Sequence, residues 1–364
     1  MDDRQGNGAG NKLLIAASGT GGHLFPAIAT AEHLDSSIEW LGVPDRLETE
    51  LVPERYPLHT VRMGGVQGKL GLGTLKVLGQ FIQATMATRR LLQQGEFQGV
   101  FTTGGYIAAP AIIAARSLGL PAVLHESNAM PGKVTRWLSR WCSLVAMGFQ
   151  ETETFLPQQA KTAWVGTPVR SQFLTDSQAE LCGLAIPKHA PVIVVVGGSQ
   201  GAVSVNQLVR AAAPAWFDKG AWVVHQTGTN DPDVDSLSHP NYIHQPFFNN
   251  VAALFKRATL VISRAGAGTL TELAMTHTPS ILIPYPFAAD DHQSYNARAF
   301  GSAGASQVYR QADLVGNDLL QKRVLSLLTN PTELKDMGTA AESLAVADSA
   351  ERLAKLLRKI LESP

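Results

Sequence analysis

Twice in this chain an aliphatic run empties directly into a glycine-rich turn. The first is Leu13-Leu14-Ile15-Ala16-Ala17-Ser18-Gly19-Thr20-Gly21-Gly22-His23, and the second is Val192-Ile193-Val194-Val195-Val196-Gly197-Gly198-Ser199-Gln200-Gly201-Ala202. A strand buried on both faces reads as an unbroken apolar run, and glycines behind it let backbone N–H groups approach a ligand closely. The first N–H groups of the following helix lack intrahelical acceptors and carry partial positive charge, so each turn is a candidate seat for an anion, a diphosphate first of all. The two turns lie roughly 180 residues apart. That separation points to two similar nucleotide-fold halves and excludes a short solenoid repeat.

Further short apolar runs, each followed by a stretch of helical spacing, extend the pattern. In the first half they are Lys12–Ala17, Ile38–Leu41, Val100–Thr102, Ala122–His125, Leu144–Met147 and Ala163–Val165. In the second they are Val192–Val196, Trp222–Gln226, Tyr242–His244, Leu260–Ser263, Ser280–Ile283 and Gln307–Tyr309. This is the signature of an α/β fold with two open parallel sheets wrapped by helices. The expected division is a disordered tail over 1–10, a first domain over 11–168 and a second over 169–345, joined near Gly166-Thr167-Pro168-Val169-Arg170. A final helical stretch, Ala341 to Ile360, is expected to pack back on the first domain through its part beyond about residue 346. Ligands of such sheets sit outside the carboxyl ends of the strands, which places the expected site between the halves.

Bulk properties exclude several functions. Lys plus Arg equals Asp plus Glu at 30 each, so no global field draws the chain to nucleic acid, and any membrane contact has to be local. Cys142 and Cys182 make neither a CxxC pair nor a disulfide framework, which fits a reducing compartment. Neither a signal peptide nor a spanning apolar segment is evident, so a cytoplasmic protein, peripheral to a membrane, is expected.

Several residues carry candidate chemistry. Leu24 stands where a dinucleotide fingerprint has its third glycine, which removes the main support for an oxidoreductase. His23 reads either as a polar residue of a first helical turn or as a general base, since a helix N-terminus favours neutral imidazole. Ser263-Arg264-Ala265-Gly266-Ala267-Gly268-Thr269-Leu270-Thr271-Glu272 opens another helix behind a strand. Glu272 there is either the partner of Thr269 in a capping box or a carboxylate for ribose hydroxyls. Gly197 to Ala202 is either an ordinary strand-to-helix connection or a phosphate loop, and the four small residues around Gln200, which leave backbone access for phosphate oxygens, favour the latter. Asp290-Asp291-His292-Gln293 starts a helix whose acids complement the dipole, or whose His292 and Gln293 touch a sugar. Asp231-Pro232-Asp233-Val234-Asp235 mimics a metal-binding DxD motif, but its proline and turn formers favour a solvated surface loop.

Taken in order, Gly19-Thr20-Gly21-Gly22-His23 with Phe25-Pro26, Thr103-Gly104-Gly105-Tyr106, His125-Glu126-Ser127-Asn128, Gly166-Thr167-Pro168-Val169-Arg170, Gly197-Gly198-Ser199-Gln200-Gly201-Ala202, Ser263-Arg264-Ala265-Gly266-Ala267 and Asp291-His292-Gln293 resemble the MurG family over nearly the whole chain. These are UDP-N-acetylglucosamine transferases that add GlcNAc to undecaprenyl-pyrophosphoryl-MurNAc-pentapeptide. The resemblance implies a GT-B glycosyltransferase fold, two Rossmann-like domains facing across a cleft, with acceptor on the first and UDP-GlcNAc on the second. It implies His23 as base, Arg170 and Ser199 on the donor diphosphate with Gln200 and Gly201 beside them, and Phe248 meeting uracil through its backbone. Glu272 would take the ribose, Ala267, Gly268 and Thr269 the diphosphate or sugar, and His292 with Gln293 the GlcNAc hydroxyls. Thr20, Gly21, Gly22 and Asn128 would border donor and acceptor, while Gly19, Lys69, Gly104, Gly105 and Tyr106 would face the acceptor. The sequence departs from the family at Gln67, where arginine is usual, which shifts the task to Lys69, and at Phe248, where an aliphatic residue is common.

The family further implies inversion by one in-line displacement, without metal or cofactor. Its place would be the cytoplasmic face of the bacterial plasma membrane in peptidoglycan synthesis, beside other cell-wall synthesis proteins. Leu70, Leu72, Leu75, Leu78, Phe81 and Ile82, near Lys69, Lys76, Arg89 and Arg90, form either a membrane stripe or core, and Lys133 to Trp141 adds a second basic and aromatic segment. Alternatives are a transferase of the same fold acting on another lipid, a UDP-GlcNAc 2-epimerase, and a nucleotide-sugar sensor.

Overall fold

The structure is a computed structural model that describes residues 11–64, 72–175, 181, 183–198 and 201–362, with side chains from Val77 onward in the helix that starts at Leu72. Two compact units emerge. The first holds the residues up to Ser127, Pro131–Pro168 and the stretch from Asp348 onward; the second holds Asn128–Met130 and Val169–Ala347.

The first unit is a seven-stranded parallel sheet: β1 (Lys12–Ala17), β2 (Ser37–Gly42), β3 (Leu58–Thr60), β4 (Gly99–Gly104), β5 (Ala122–Glu126), β6 (Leu144–Met147) and β7 (Thr162–Trp164), in the order β3-β2-β1-β4-β5-β6-β7. Its helices are α1 (Gly21–Ala31), α2 (Glu48–Leu51), α3 (Leu72–Gln94), α4 (Ala108–Ser117) and α5 (Lys133–Leu138). The second unit repeats the plan with β8 (Val192–Val196), β9 (Trp222–Gln226), β10 (Tyr242–Gln245), β11 (Leu260–Ser263), β12 (Ser280–Leu282) and β13 (Ser306–Val308), ordered β10-β9-β8-β11-β12-β13. Around it lie α6 (Val203–Phe217), α7 (Val251–Arg257), α8 (Ala267–Met275), α9 (His292–Ser302), α10 (Gln311–Leu314), α11 (Leu319–Leu328) and α12 (Pro331–Ser343). Both sheets change winding direction beside their first strand, at β1/β4 and β8/β11, and a doubly wound sheet binds its ligand at that switch point.

The aliphatic runs are central strands: every residue of β8 is buried, as are Leu13 to Ala17 of β1. The stretch expected as one helix over 341–360 is two. α12 ends at Ser343, and α13 (Ser349–Leu361) starts afresh. Leu353, Ala354 and Leu357 of α13 complete the core formed by Leu13, Ile15, Leu24, Ala27 and Trp40, and Arg358 donates to the His33 carbonyl at 2.9 Å.

Candidate functional site

In the first unit the residues around His23 converge on the switch point. β1 and β4 slip register at their carboxyl ends: Ala16 pairs with Thr102, but Ala17 pairs with Gly104, so Thr103 is left out of the ladder. Such an irregularity re-aims a residue. The Thr103 carbonyl accepts from His23 Nδ1 at 2.8 Å, and the Thr103 hydroxyl donates to the His23 carbonyl at 2.7 Å. Nδ1–H pointing at a carbonyl fixes the tautomer, so Nε2 carries the lone pair that a general base needs. Gly104 at φ +109° brings the chain so close that a Cβ there would lie 2.8 Å from His23 Cε1. Gly105, at φ +83°, would put a Cβ 2.4 Å from the Ser18 carbonyl oxygen. These two glycines are the close approach of two turns.

His23 sits at the third position of α1, after Gly21 and Gly22, whose N–H groups have no intrahelical acceptor at a helix start. Gly19 differs. Its N–H is taken at 3.1 Å by the buried carboxylate of Glu48, which also accepts from Val43 N–H at 2.7 Å. His125 is fully buried, bonded to the Gly166 carbonyl at 2.9 Å and to Ser127 at 3.3 Å. Burial pushes its pKa down, partly offset by the Gly166 carbonyl and Glu126, so neutral His125 ties β5 to the residues after β7. Glu126 accepts from Gly132 N–H and the Thr135 hydroxyl, at 3.0 and 2.6 Å. Tyr106 is exposed, with the Arg46 guanidinium 6.0 Å from its ring centroid.

In the second unit two clusters form at the carboxyl ends of the strands. In one, Gln226 spans the second glycine turn and the β10–α7 loop: its Oε1 accepts from Phe248 N–H at 3.1 Å, and its amide reaches the Gly198 carbonyl at 3.5 Å. Gly198 and Gly201 have φ of +93° and +76°, and a Cβ on Gly201 would lie 2.3 Å from the Thr227 carbonyl oxygen, so only glycine fits there. In the other, Gln293 Oε1 accepts from Ala265 N–H at 3.2 Å and Tyr285 N–H at 2.8 Å. Buried Asn296 donates to the Ala265 carbonyl and to Asn128 Oδ1, each at 3.1 Å, and accepts from Ala129 N–H at 2.8 Å. Asn128, Ala265 and Gln293 are thereby drawn together at the start of α8.

Gly266 caps α8 without a side-chain bond, so Thr269 is its third residue and Glu272 its sixth. The capping-box reading of Glu272 is therefore wrong by three residues: Thr269 is inside the helix, not at its cap. Instead Glu272 Oε1 accepts from Arg170 at 2.9 Å, and no described residue donates to Oε2. Burial pushes the Glu272 pKa up, and the Arg170 guanidinium draws it only part of the way back. Arg170 also lies 5.1 Å over the Phe173 ring. His292 opens α9 behind Asp290 and Asp291, both left-handed at φ +50° and +53°, and its Nδ1 meets the Ala289 carbonyl at 2.8 Å.

Sequence profiles of known proteins bear on what these turns serve. The Glycosyltransferase family 28 N-terminal domain matches residues 13–147, and the Glycosyltransferase family 28 C-terminal domain matches 192–353. A Nostoc sp. protein named UDP-N-acetylglucosamine–N-acetylmuramyl-(pentapeptide) pyrophosphoryl-undecaprenol N-acetylglucosamine transferase is 63% identical, over 96% of this chain and 98% of its own. The chain belongs to the MurG family of glycosyltransferases. A Trichodesmium erythraeum protein of the same name is 60% identical over 96% of this chain and 92% of its own. The crystal structure of Acinetobacter baumannii MurG matches with TM-score 0.75 at 27% identity, covering 96% of this chain and 99% of that one. A Listeria monocytogenes chain described as a UDP-N-acetylglucosamine 2-epimerase matches at TM-score 0.70 with 11% identity, which is a likeness of fold alone. The two Rossmann-like units are those of the GT-B fold that MurG has.

Within this MurG-family chain, some expected site residues stand differently from the sequence reading. Ser199, Gln200, Gln67, Lys69 and Leu70 lie outside the described residues, as do the side chains of Leu72, Leu75 and Lys76. Phe248 has its N–H engaged by Gln226 and its ring buried, which leaves its carbonyl as the backbone group for a base. Asp231 is not a solvated loop acid. Arg210 clamps it at 2.7 and 3.1 Å, Asn206 donates to it at 2.7 Å, and the site is buried. Burial pushes its carboxyl up, but these bonds outweigh burial and hold it below the usual range. Arg264 likewise spends its guanidinium on the carbonyls of Ile283 and Pro284, on Ser204 and on Gln311.

Sequence reasoning overlooked Gln226 and Glu48, whose partners are backbone groups, and Asn296, which bonds two backbone groups and the distant Asn128 side chain; none leaves a pairing trace in the sequence. It also overlooked His225, which bonds Tyr242 at 2.9 Å and Asn206 at 3.0 Å in the same buried network as Asp231. Burial pushes the His225 pKa down to about 3.

Proposed function

We propose that this chain transfers GlcNAc from UDP-GlcNAc to the 4-hydroxyl of MurNAc in undecaprenyl-pyrophosphoryl-MurNAc-pentapeptide. The observation that carries the chemistry is His23, held by Thr103 in the tautomer of a base at the switch point of the first unit. The first unit takes the acceptor and the second takes the donor. An α-linked donor sugar and a β-linked product call for inversion, which one in-line displacement achieves: His23 Nε2 removes the hydroxyl proton as oxygen bonds to the anomeric carbon and the bond to UDP breaks.

Negative charge then grows on the departing diphosphate. It is met by Arg170, by the N–H groups of Ala267, Gly268 and Thr269 at the start of α8, and by the turn ending in Gly201. Glu272 has an oxygen with no described donor, which suits a ribose hydroxyl. His292 and the amide of Gln293 are the GlcNAc readers, and Asn128, anchored by Asn296, borders the sugar. No step calls on a divalent cation: Asp231, the first acid of the DxD-like run, is committed to Arg210.

The lipid tail of the acceptor places the enzyme at the cytoplasmic face of the plasma membrane. No described helix is long and apolar enough to cross a membrane. Leu78, Ile82 and Met86, one helical turn apart along α3, are instead exposed, as is Trp137 of α5, and Arg89, Arg90, Lys133 and Arg140 are exposed on the same unit. An apolar stripe with basic neighbours suits the interface of an anionic bilayer. Phe81, expected in the stripe, is half-buried, and Met86 takes its place.

One assay tests the activity: purified protein, labelled UDP-GlcNAc and lipid-linked MurNAc-pentapeptide, with and without chelator. Acceptor-dependent UDP release that survives chelation is expected, and acceptor-independent epimerisation would refute the reading. His23→Ala is expected to lose about 10²–10⁴ of turnover while still binding UDP-GlcNAc. For the membrane, co-sedimentation with anionic vesicles is expected to weaken when Leu78, Ile82 and Met86 become serine, and undiminished binding would refute that role.

A further inference from the structure

We propose that Glu48 is a positioning residue for the transfer: its carboxylate is the built-in anion of the first glycine turn and fixes the segment from which His23 projects. The inference rests on the reading of His23 as base. Glu48 is wholly buried, and both its oxygens are spent on backbone, Oε2 on Gly19 N–H at 3.1 Å and Oε1 on Val43 N–H at 2.7 Å. No described cation pairs with it. A carboxylate taken out of water in this way is retained only where oriented N–H donors replace its hydration.

The surrounding chain is shaped to admit it. Gly42 at the end of β2 would carry a Cβ 2.6 Å from Glu48 Cγ, so glycine is what leaves room for the side chain. Asp45 takes φ +58° to bring the chain round to α2. One side chain thus ties the exit of β1 to the exit of β2, while Thr103 ties the imidazole to the exit of β4. His23 is located from both sides of the switch point.

The glycine turn after β1 therefore differs in kind from an open phosphate loop. The N–H of Gly19 is not a donor for an incoming diphosphate, and a fixed negative charge beside it turns a phosphate away. The acceptor diphosphate is left to other groups. Glutamate is the residue that can do this, since glutamine offers one acceptor oxygen and would aim an NH₂ at the second N–H.

Glu48→Ala vacates a pocket with two unsatisfied N–H donors, so formate is the probe. The expected result is a folded variant whose kcat falls about 10- to 100-fold, the effect of a misplaced catalytic group, with KM for UDP-GlcNAc unchanged. Millimolar formate restores part of that loss in Glu48→Ala and does nothing for wild type or His23→Ala. Wild-type kcat in Glu48→Ala, or a loss that formate leaves untouched, would overturn the proposal. Should Glu48→Ala not fold, Glu48→Gln keeps the volume and one acceptor; its kcat falls with KM for UDP-GlcNAc unchanged, and a wild-type kcat there overturns the proposal. Full turnover in His23→Ala would sink the base reading itself, whereas a dead His23→Ala beside a fully active Glu48 variant sinks only this inference.

Discussion

Adding one methyl group at Gly104 tests whether the position of the His23 ring governs turnover. A Cβ there lies 2.8 Å from His23 Cε1 and 2.9 Å from Nδ1. Carbon contacts rest near 3.5 Å, so the ring has to retreat by roughly half an ångström or more. The 2.8 Å bond from Nδ1 to the carbonyl of the adjacent Thr103 then stretches or breaks, and with it goes the fixed tautomer. Alanine at φ +109° also costs about 1–3 kcal/mol of backbone strain, which lowers stability. A displacement of that size at a reacting group is worth about 10- to 100-fold in rate. Steady-state kinetics of Gly104→Ala should therefore show that loss in kcat, with KM for UDP-GlcNAc and calorimetric UDP affinity unchanged. A folded Gly104→Ala enzyme with kcat within about twofold of wild type, a change too small for a misplaced base, would refute the argument.

Three further outcomes follow from the buried polar groups. His225, with its folded pKa near 3 against an ordinary 6.5, takes up a proton far more readily once unfolded, as does His125; stability is full above about pH 6.5 and declines as the pH falls toward the folded values. For His225 alone this amounts to about 2 kcal/mol between pH 6.5 and 5, so urea midpoints should drop over that window, less steeply in His225→Gln, and a flat profile would count against it. Asp231→Ala strands the buried Arg210 guanidinium and should cost about 3–5 kcal/mol in urea unfolding, and a loss under about 1 kcal/mol would show the pair to be unimportant. Glu272→Gln removes the charge that holds Arg170 and that we propose accepts the ribose hydroxyls, so KM for UDP-GlcNAc should rise about 10- to 100-fold with kcat less affected; an unchanged KM argues against the ribose role.

Much of this was legible in the residues because buried parallel strands advertise themselves. Leu144–Met147, Val192–Val196, Trp222–Gln226 and Leu260–Ser263 are strands with the bounds that the apolar runs predict. β3 was missed: Leu58-His59-Thr60 is a three-residue edge strand, half-buried to exposed, with no run to read. The break between α12 and α13 was missed because apolar spacing continues through buried Val346 while the backbone turns. His23 could be picked out since its turn is local. Glu48 could not, because its partners are amides of Gly19 and Val43, and Asp231 looked solvated because Arg210 stands 21 residues away on α6. Chemistry built from neighbours in sequence is readable, and chemistry that the fold builds between a side chain and backbone or side-chain groups away from it in sequence is not.

The return of α13 to the first unit has a bearing on how the protein comes off the ribosome. Leu353, Ala354 and Leu357 finish a core begun by Leu13 and Ile15, so the amino-terminal unit waits for α13 to be synthesised, while the unit encoded in between is whole before α13. The later-encoded half is thus free to mature first. A stop codon shortly after Ala347 would spare that half and leave the earlier one with an open hydrophobic wound along Ile15, Ala27 and Trp40.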